Sequence, residues 1–473
     1  MKWAFFTVLL IRSLTLLAQN PERAYEQSIQ AYRDNKLDSA DYYIGRAIDY
    51  YKQHAQGDSL VYAYVHQALV VWTQTGLDEA VEVTRTAIAV AETLPLKSVA
   101  RVAAYSRMGQ LVTQQYDFKQ AAEYFRRAER AVNPAEPPNR HYALLYNYIA
   151  VMYLTLEDYV PAKRYVQRAY DTNLAVEGRD GRDMTMILQV RYFISRYRED
   201  YQQALIDAKE FQRVIQLYYP PDHPNIGVMH NSLAIIYETL LRYDEALYHR
   251  QKAVDIQIKN YKHTTNGFSL GAAYQNLGQL YGYIHEPFLA QEYLQKGSRL
   301  LAETYGEDGL GMVNIWVDMA VHKTKIGQYD EAEQLLKKAL HIQEMQDADN
   351  VSEMAYIAGY FGDLYKEQIR YDEASVWYRN ALEKYRQAGM SHQVQALNAK
   401  KNLAVTMAAA GQVDAALALE QEVLVQFRRL YPAGNDAIAE KLHGISDIYF
   451  DAGQTAKALA FSDSVFTEIL QWT

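Results

Sequence analysis

The nearest histidine pair, His223 and His230, the glycine-rich run GEDGLG at 306–311, and the acidic pairs Asp330-Glu331 and Asp372-Glu373 are where this sequence could hold a metal, cradle a phosphate or move a proton. None of them completes its chemistry. A proline separates the two histidines and no carboxylate pattern adds further ligands. The glycine run follows no strand, which a phosphate loop requires. The acidic pairs stand where a helix begins, and carboxylates there complement the helix dipole. Nucleophile elbows, zincin histidines, calcium loops and dinucleotide fingerprints are absent. The expectation is a chain that is not an enzyme and holds no cofactor and no metal.

A different chemistry does recur. Ser106, Asn147, Gln189, Asn231 and Gln275 follow one another at intervals of about 42 residues, with Gln110, Asn276 and Gln279 close by and Phe193 among them. An amide carries both a donor and an acceptor. A row of amides can therefore pair with the backbone of an extended peptide, leaving selectivity to apolar and aromatic neighbours. The alternative is that the amides bridge adjacent helices and satisfy one another.

What spaces these residues is a repeat that runs through the chain. Alanine recurs at Ala40, Ala80, Ala121, Ala162, Ala204, Ala246, Ala290, Ala332, Ala374, Ala416 and Ala458, in steps of about 40–44 residues. Twelve residues before these marks the side chains are small (Ser28, Ala68, Gly109, Ala150, Ala234, Gly278, Ala320, Gly362, Ala404, Ser446), and seven after them alanine dominates. Two helices approach closely only where small side chains occupy the crossing. Apolar residues between the marks keep helical spacing, as in Val313, Ile315, Trp316, Met319 and Ala320. Each unit thus reads as a helical hairpin, closed by short turns such as IGQY (326–329) and AAGQ (409–412), where glycine ends a helix.

These residues resemble the tetratricopeptide repeat: a small residue in helix A, Tyr three later (Tyr153, Tyr237, Tyr281, Tyr365, Tyr449), then Gly-x-Tyr-x-x-Ala. The longer unit, in phrases such as HPNIGVMHNSLAIIYETLLRYDEAL (223–247), is similar to the kinesin-light-chain-type subclass. The resemblance spans roughly residues 22–470 and implies an all-α, right-handed α-solenoid, a superhelix of about eleven hairpins. It also implies that Ser106, Gln110, Asn147, Gln189, Phe193, Asn231, Gln275, Asn276 and Gln279 face a concave groove that binds peptide segments or partner proteins. The Lys/Asn clamp by which some relatives read a C-terminal carboxylate is not assembled in consecutive repeats. Exported arrays of this kind resemble the N-terminal scaffolds of CHAT-domain proteases or the sensor halves of membrane kinases, so a regulatory or substrate-recruiting module is the alternative reading.

Composition fits a folded chain, with 49% hydrophobic and 22% charged residues. Net charge is −9 and no basic run interleaves with aromatics, which argues against nucleic acid as a partner. The N-terminus, MKWAFFTVLLIRSLTLLAQN, reads as a signal peptide over 1–18 and export to a periplasmic or extracellular space, with the repeat solenoid in 19–473. Arg12 interrupts its apolar run, and the other reading is a helix that caps the first repeat in a cytoplasmic chain. There is no cysteine to anchor a lipid or report a redox compartment. Nothing downstream has the ~20 apolar residues of a membrane span.

Two irregularities stand out. The fifth unit carries Tyr192 and Phe211 where small residues are expected, and Ser195 and Ala208 where large ones are, an exchange of bulk within one hairpin. With irregular linkers on both sides, this predicts a bend or altered curvature near 176–225, the alternative being a merely degenerate repeat. The last helix keeps an apolar face through Phe461, Val465, Phe466 and Ile469, and the expectation is either that it docks on a partner or another subunit or that the chain is the N-terminal portion of a longer product.

Overall fold

A computed structural model describes residues 21–34, 36–261, 267–391, 393–430 and 436–470. The leader expected at 1–18 lies outside them. Among the described residues there are 22 α-helices, one short 3-10 turn and no strand. Taken in order they make an all-α repeat solenoid of eleven A–B repeats, in ten of which the two helices pack as a hairpin. The chain divides into two compact units, one up to Ile194 and one from Ser195 onward. The division falls inside the A helix of the fifth hairpin, Met184–Tyr197.

The small residues do what their size demands. All eleven alanine marks are buried, ten of them completely. Glycine appears where the partner helix brings an aromatic ring: a Cβ on Gly109 would lie 2.5 Å from the ring of Phe125, and one on Gly362 would lie 2.5 Å from that of Tyr378. Both rings stand four residues after an alanine mark. Ser28 and Ser446 fill the same crossing differently, donating hydrogen bonds to the carbonyls of Ala40 (2.6 Å) and Ala458 (2.8 Å). The fifth unit shows its exchanged bulk: Tyr192 and Phe211 are buried, and Ser195 donates to Asp207 at 3.0 Å where other hairpins place an aromatic.

The turns inside the hairpins differ from expectation. Five residues before the mark the backbone is left-handed, yet the residue there is glycine only at Gly327, Gly411 and Gly453 in the third to eleventh hairpins. Tyr116, Glu157, Glu199, Leu241, His285 and Ile369 adopt the same conformation, with φ between 55° and 62°. The geometry of the turn is thus enforced by the packing of the two helices it joins rather than by a permissive residue.

Candidate functional site

The A helices of successive hairpins lie beside one another and present the recurring polar residues. Register decides which residues meet. The side chain two before the small residue of one A helix reaches the side chain three before, or one after, the small residue of the preceding A helix.

In the first unit this face is closed by the chain's own aromatics. The A helix of the third hairpin, Val99–Gln114, is rich in alanine, and neighbouring side chains cover it. Tyr62 of the second hairpin stacks on His141 of the fourth, with centroids 4.8 Å apart. Tyr25 packs edge-on to His66, and the Arg107 guanidinium lies 5.7 Å from the Tyr148 ring. Ser106 and Asn147 are buried. The Ser106 hydroxyl donates to Val102 O at 2.6 Å within its own helix, and Asn147 Oδ1 has no hydrogen-bond partner. The residue two before the next small position is the apolar Val190, so register supplies Asn147 with no donor. Gln110 is partly exposed and accepts from Arg107 Nη1. The charges here are cationic: burial, reinforced by Arg107 for His66 and by Arg140 for His141, pushes both imidazoles down to about 4. Arg140 is itself held by Asp183, its Nη2 donating to Oδ1 at 3.0 Å. Gln189 and Phe193 are partly buried, and Phe193 lies beside Tyr192.

In the second unit the corresponding face is open and knitted by amides. Asn231 (A helix Pro224–Thr239) accepts from Arg250 and, at 3.4 Å, from Asn276 of the next A helix, Phe268–Tyr283. Gln275 and Gln279 both donate to the Asp318 carboxylate in the A helix Val313–Lys325. All four amides are half-buried. The amides bridge neighbouring helices and keep an exposed edge. Burial pushes the Asp318 carboxyl up to about 6, against the pull of its two amide donors. Asp318 lies close enough to Tyr283, Tyr356 and Tyr360 to raise their hydroxyls along with burial. Tyr360 donates to Tyr356 at 2.7 Å, and the Lys325 ammonium sits 4.4 Å from the centre of the Tyr283 ring.

Sequence reasoning missed Asp318 and the three tyrosines. The signal was available, because Asn276, Asp318, Tyr360 and Asn402 all stand two before a small residue, but it appears only when successive repeats are read diagonally. Among the described residues no cluster of three or more His, Cys, Asp or Glu could hold a metal. No helix of the described residues is long and apolar enough to cross a membrane.

On the last helix, Thr455–Leu470, Phe461 stacks on Tyr449 with centroids 5.5 Å apart. Val465 packs against the same core and Phe466 is exposed. The Ile469 side chain lies outside the described ones.

Residues 269–345, which hold Gln275, Asn276, Gln279 and Asp318, match the family model described as tetratricopeptide repeat. The chain carries tetratricopeptide repeats in that segment. Its fold is similar to the apo form of RapI, at TM-score 0.56 and 15% identity over 78% of this chain and 98% of that one. A Rap protein complexed with Competence and Sporulation Factor aligns at TM-score 0.52 and 14% identity, over 79% and 99%. The kinesin-light-chain TPR-like repeats of Podospora anserina align at TM-score 0.37 and 18% identity, over 43% of this chain and 96% of that one. No curated protein matches the sequence. A tetratricopeptide repeat solenoid is a protein-interaction scaffold, and protein partners follow from that.

Proposed function

We propose that this tetratricopeptide repeat scaffold binds extended segments of partner proteins along the A-helix face of its second unit, over the sixth to eighth hairpins. The observation that carries the reading is the half-buried row Asn231, Gln275, Asn276 and Gln279, whose amides are fixed by their neighbours yet keep an edge to solvent. Pre-fixed donors and acceptors lose little freedom on binding a backbone. The partner must be ordered, so affinity belongs on the order of micromolar. In the first unit Ser106 and Asn147 are buried and do not make first contact, with Gln110, Gln189 and Phe193 as accessory positions.

The test is binding of short peptide pools to the immobilised full chain. Asn231→Ala, Gln275→Ala and Asn276→Ala should each weaken retention, whereas Asn147→Ala should leave it unchanged. Because amides do most of the holding, raising salt should weaken binding little. Equal binding by all four variants, or a steep salt dependence, would remove the reading.

A second surface has an observation of its own. On the last hairpin Phe450, Leu459 and Phe466 are each about two-thirds exposed, which supports docking of a partner or another subunit there, as in a recruiting module. Phe466→Ser should then lower the molar mass seen by light scattering, or abolish association with a partner. Export is proposed from the leader sequence alone; N-terminal sequencing of the mature chain, with Gln19 as its first residue, is the check.

A further inference from the structure

The acids of the second unit's A-helix face are almost all neutralised from within. Glu238 is gripped by Arg250 through two hydrogen bonds, of 2.7 and 3.0 Å. Asp363 accepts from Tyr378 at 2.5 Å, from Asn402 at 3.4 Å and from Lys366 at 3.5 Å. Glu440 pairs with Lys401 and Lys441. Asp318 differs. It receives only the neutral amides of Gln275 and Gln279, and no Lys, Arg or His among the described residues forms an ion pair with it.

A carboxylate half-sunk in protein without a cation is costly, and a cation brought by a partner removes that cost. What surrounds Asp318 suits such a group. Tyr283 comes from the hairpin before it, and Tyr356 and Tyr360 from the hairpin after it. Phenol rings attract cations through their faces, and their oxygens accept hydrogen bonds from ammonium or guanidinium N–H groups. The Tyr283 ring already bears one ammonium, that of Lys325, which shows that the ring is placed to take a cation.

We propose that Asp318 is the specificity-determining residue of this face, and that it seats a lysine or arginine side chain of the bound segment beside Tyr283, Tyr356 and Tyr360. The proposal rests on the groove reading above. The amides hold the segment's backbone, and the carboxylate selects its side chain. The pair forms in a partly desolvated site, so added salt screens it only weakly.

The experiment uses the full chain and its Asp318→Asn variant, which keeps the shape but loses the charge and one acceptor oxygen. Peptide pools carry one fixed central residue: arginine, its neutral isostere citrulline, lysine, or norleucine. The unaltered chain should retain the arginine pool about tenfold better than the citrulline pool, and lysine better than norleucine. Asp318→Asn should erase both preferences while retaining the neutral pools as before, and Asp318→Glu should restore part of them. Equal retention of arginine and citrulline by the unaltered chain overturns the proposal and leaves the groove reading standing. A preference that survives in Asp318→Asn overturns the assignment to this residue. Failure of the unaltered chain to retain any pool overturns the groove reading and the proposal with it.

Discussion

The sixth hairpin (Pro224–Thr239 and Tyr243–Tyr261) and the tenth (Val394–Ala409 and Val413–Leu430) solve the same packing problem with opposite flaws. Four residues after the alanine mark, where Phe125, Leu294, Leu336 and Tyr378 fill other hairpins, the sixth carries Arg250 and the tenth Glu420. Both charges are almost wholly buried. Arg250 is answered in full, by Glu238 and by Asn231. Neither oxygen of Glu420 has a hydrogen-bond partner, and burial pushes its carboxyl up to about 7 against the pull of Lys441 and Lys401. The turns show the reverse. The sixth hairpin forces Leu241 into the left-handed region at φ 57°, whereas the tenth uses Gly411. A repeat therefore tolerates a buried charge or a strained turn because each hairpin is held by its neighbours as well as by itself.

The largest effect should come from breaking what the sixth hairpin has satisfied. Arg250→Met leaves Glu238 and Asn231 facing a partner that is gone, and removing one member of a buried ion pair costs about 3 kcal/mol. Hydrogen exchange within 224–261 should accelerate while that within 394–430 stays unchanged. The converse substitution, Glu420→Leu, removes an unanswered charge and supplies the bulk that other hairpins carry there. It should stabilise by about 2 kcal/mol, read as a higher midpoint of thermal unfolding. Unchanged stability in both variants would mean that the two sites are equally compensated.

Acidification should separate the two hairpins without mutation. His230 and His249 share a hydrogen bond of 2.7 Å between their Nδ1 atoms, and burial holds both rings down at about 4 rather than 6.5. The folded pair binds fewer protons than the unfolded chain in that interval. Its stability is intact above about pH 6.5 and is lost as pH falls toward 4. Glu420 has the opposite sign, because its folded carboxyl titrates at about 7 and its unfolded one near 4.5. Its penalty is full above pH 7 and is relieved as pH falls to 4.5. From pH 7 to 5, exchange protection should fall in the sixth hairpin and hold or rise in the tenth. Parallel loss in both would refute the assignment.

How much of this was legible follows from what register records. The alanine marks and the glycines opposite Phe125 and Tyr378 could be read because volume at a crossing depends on position within one repeat. Arg250 and Glu420 were equally readable, as the two charged members of a column that is otherwise uncharged. The link from Gln275 to Asp318 spans two repeats and needs the diagonal between A helices. The seam from Tyr62 to His141 spans three, and depends on the small side chains of the helix between them. Each added repeat brings in curvature, which residue type alone does not specify.

The smallest effect tests the turns. A left-handed backbone costs a residue with a Cβ about 1 kcal/mol and costs glycine almost nothing. Leu241 is 71% exposed, so little packing is lost with its side chain. The turn keeps its closing bonds, Leu241 N to Glu238 O at 3.0 Å and Arg242 N to Tyr237 O at 2.8 Å, whichever residue stands there. Leu241→Gly should therefore stabilise the sixth hairpin by up to about 1 kcal/mol, less what glycine's freedom adds to the unfolded chain. Gly411→Leu should destabilise the tenth by a similar amount. Measured together by exchange at pH 7, the two changes should move the hairpins in opposite directions. If Leu241→Gly destabilises instead, the leucine contributes packing at that turn which its exposure does not reveal.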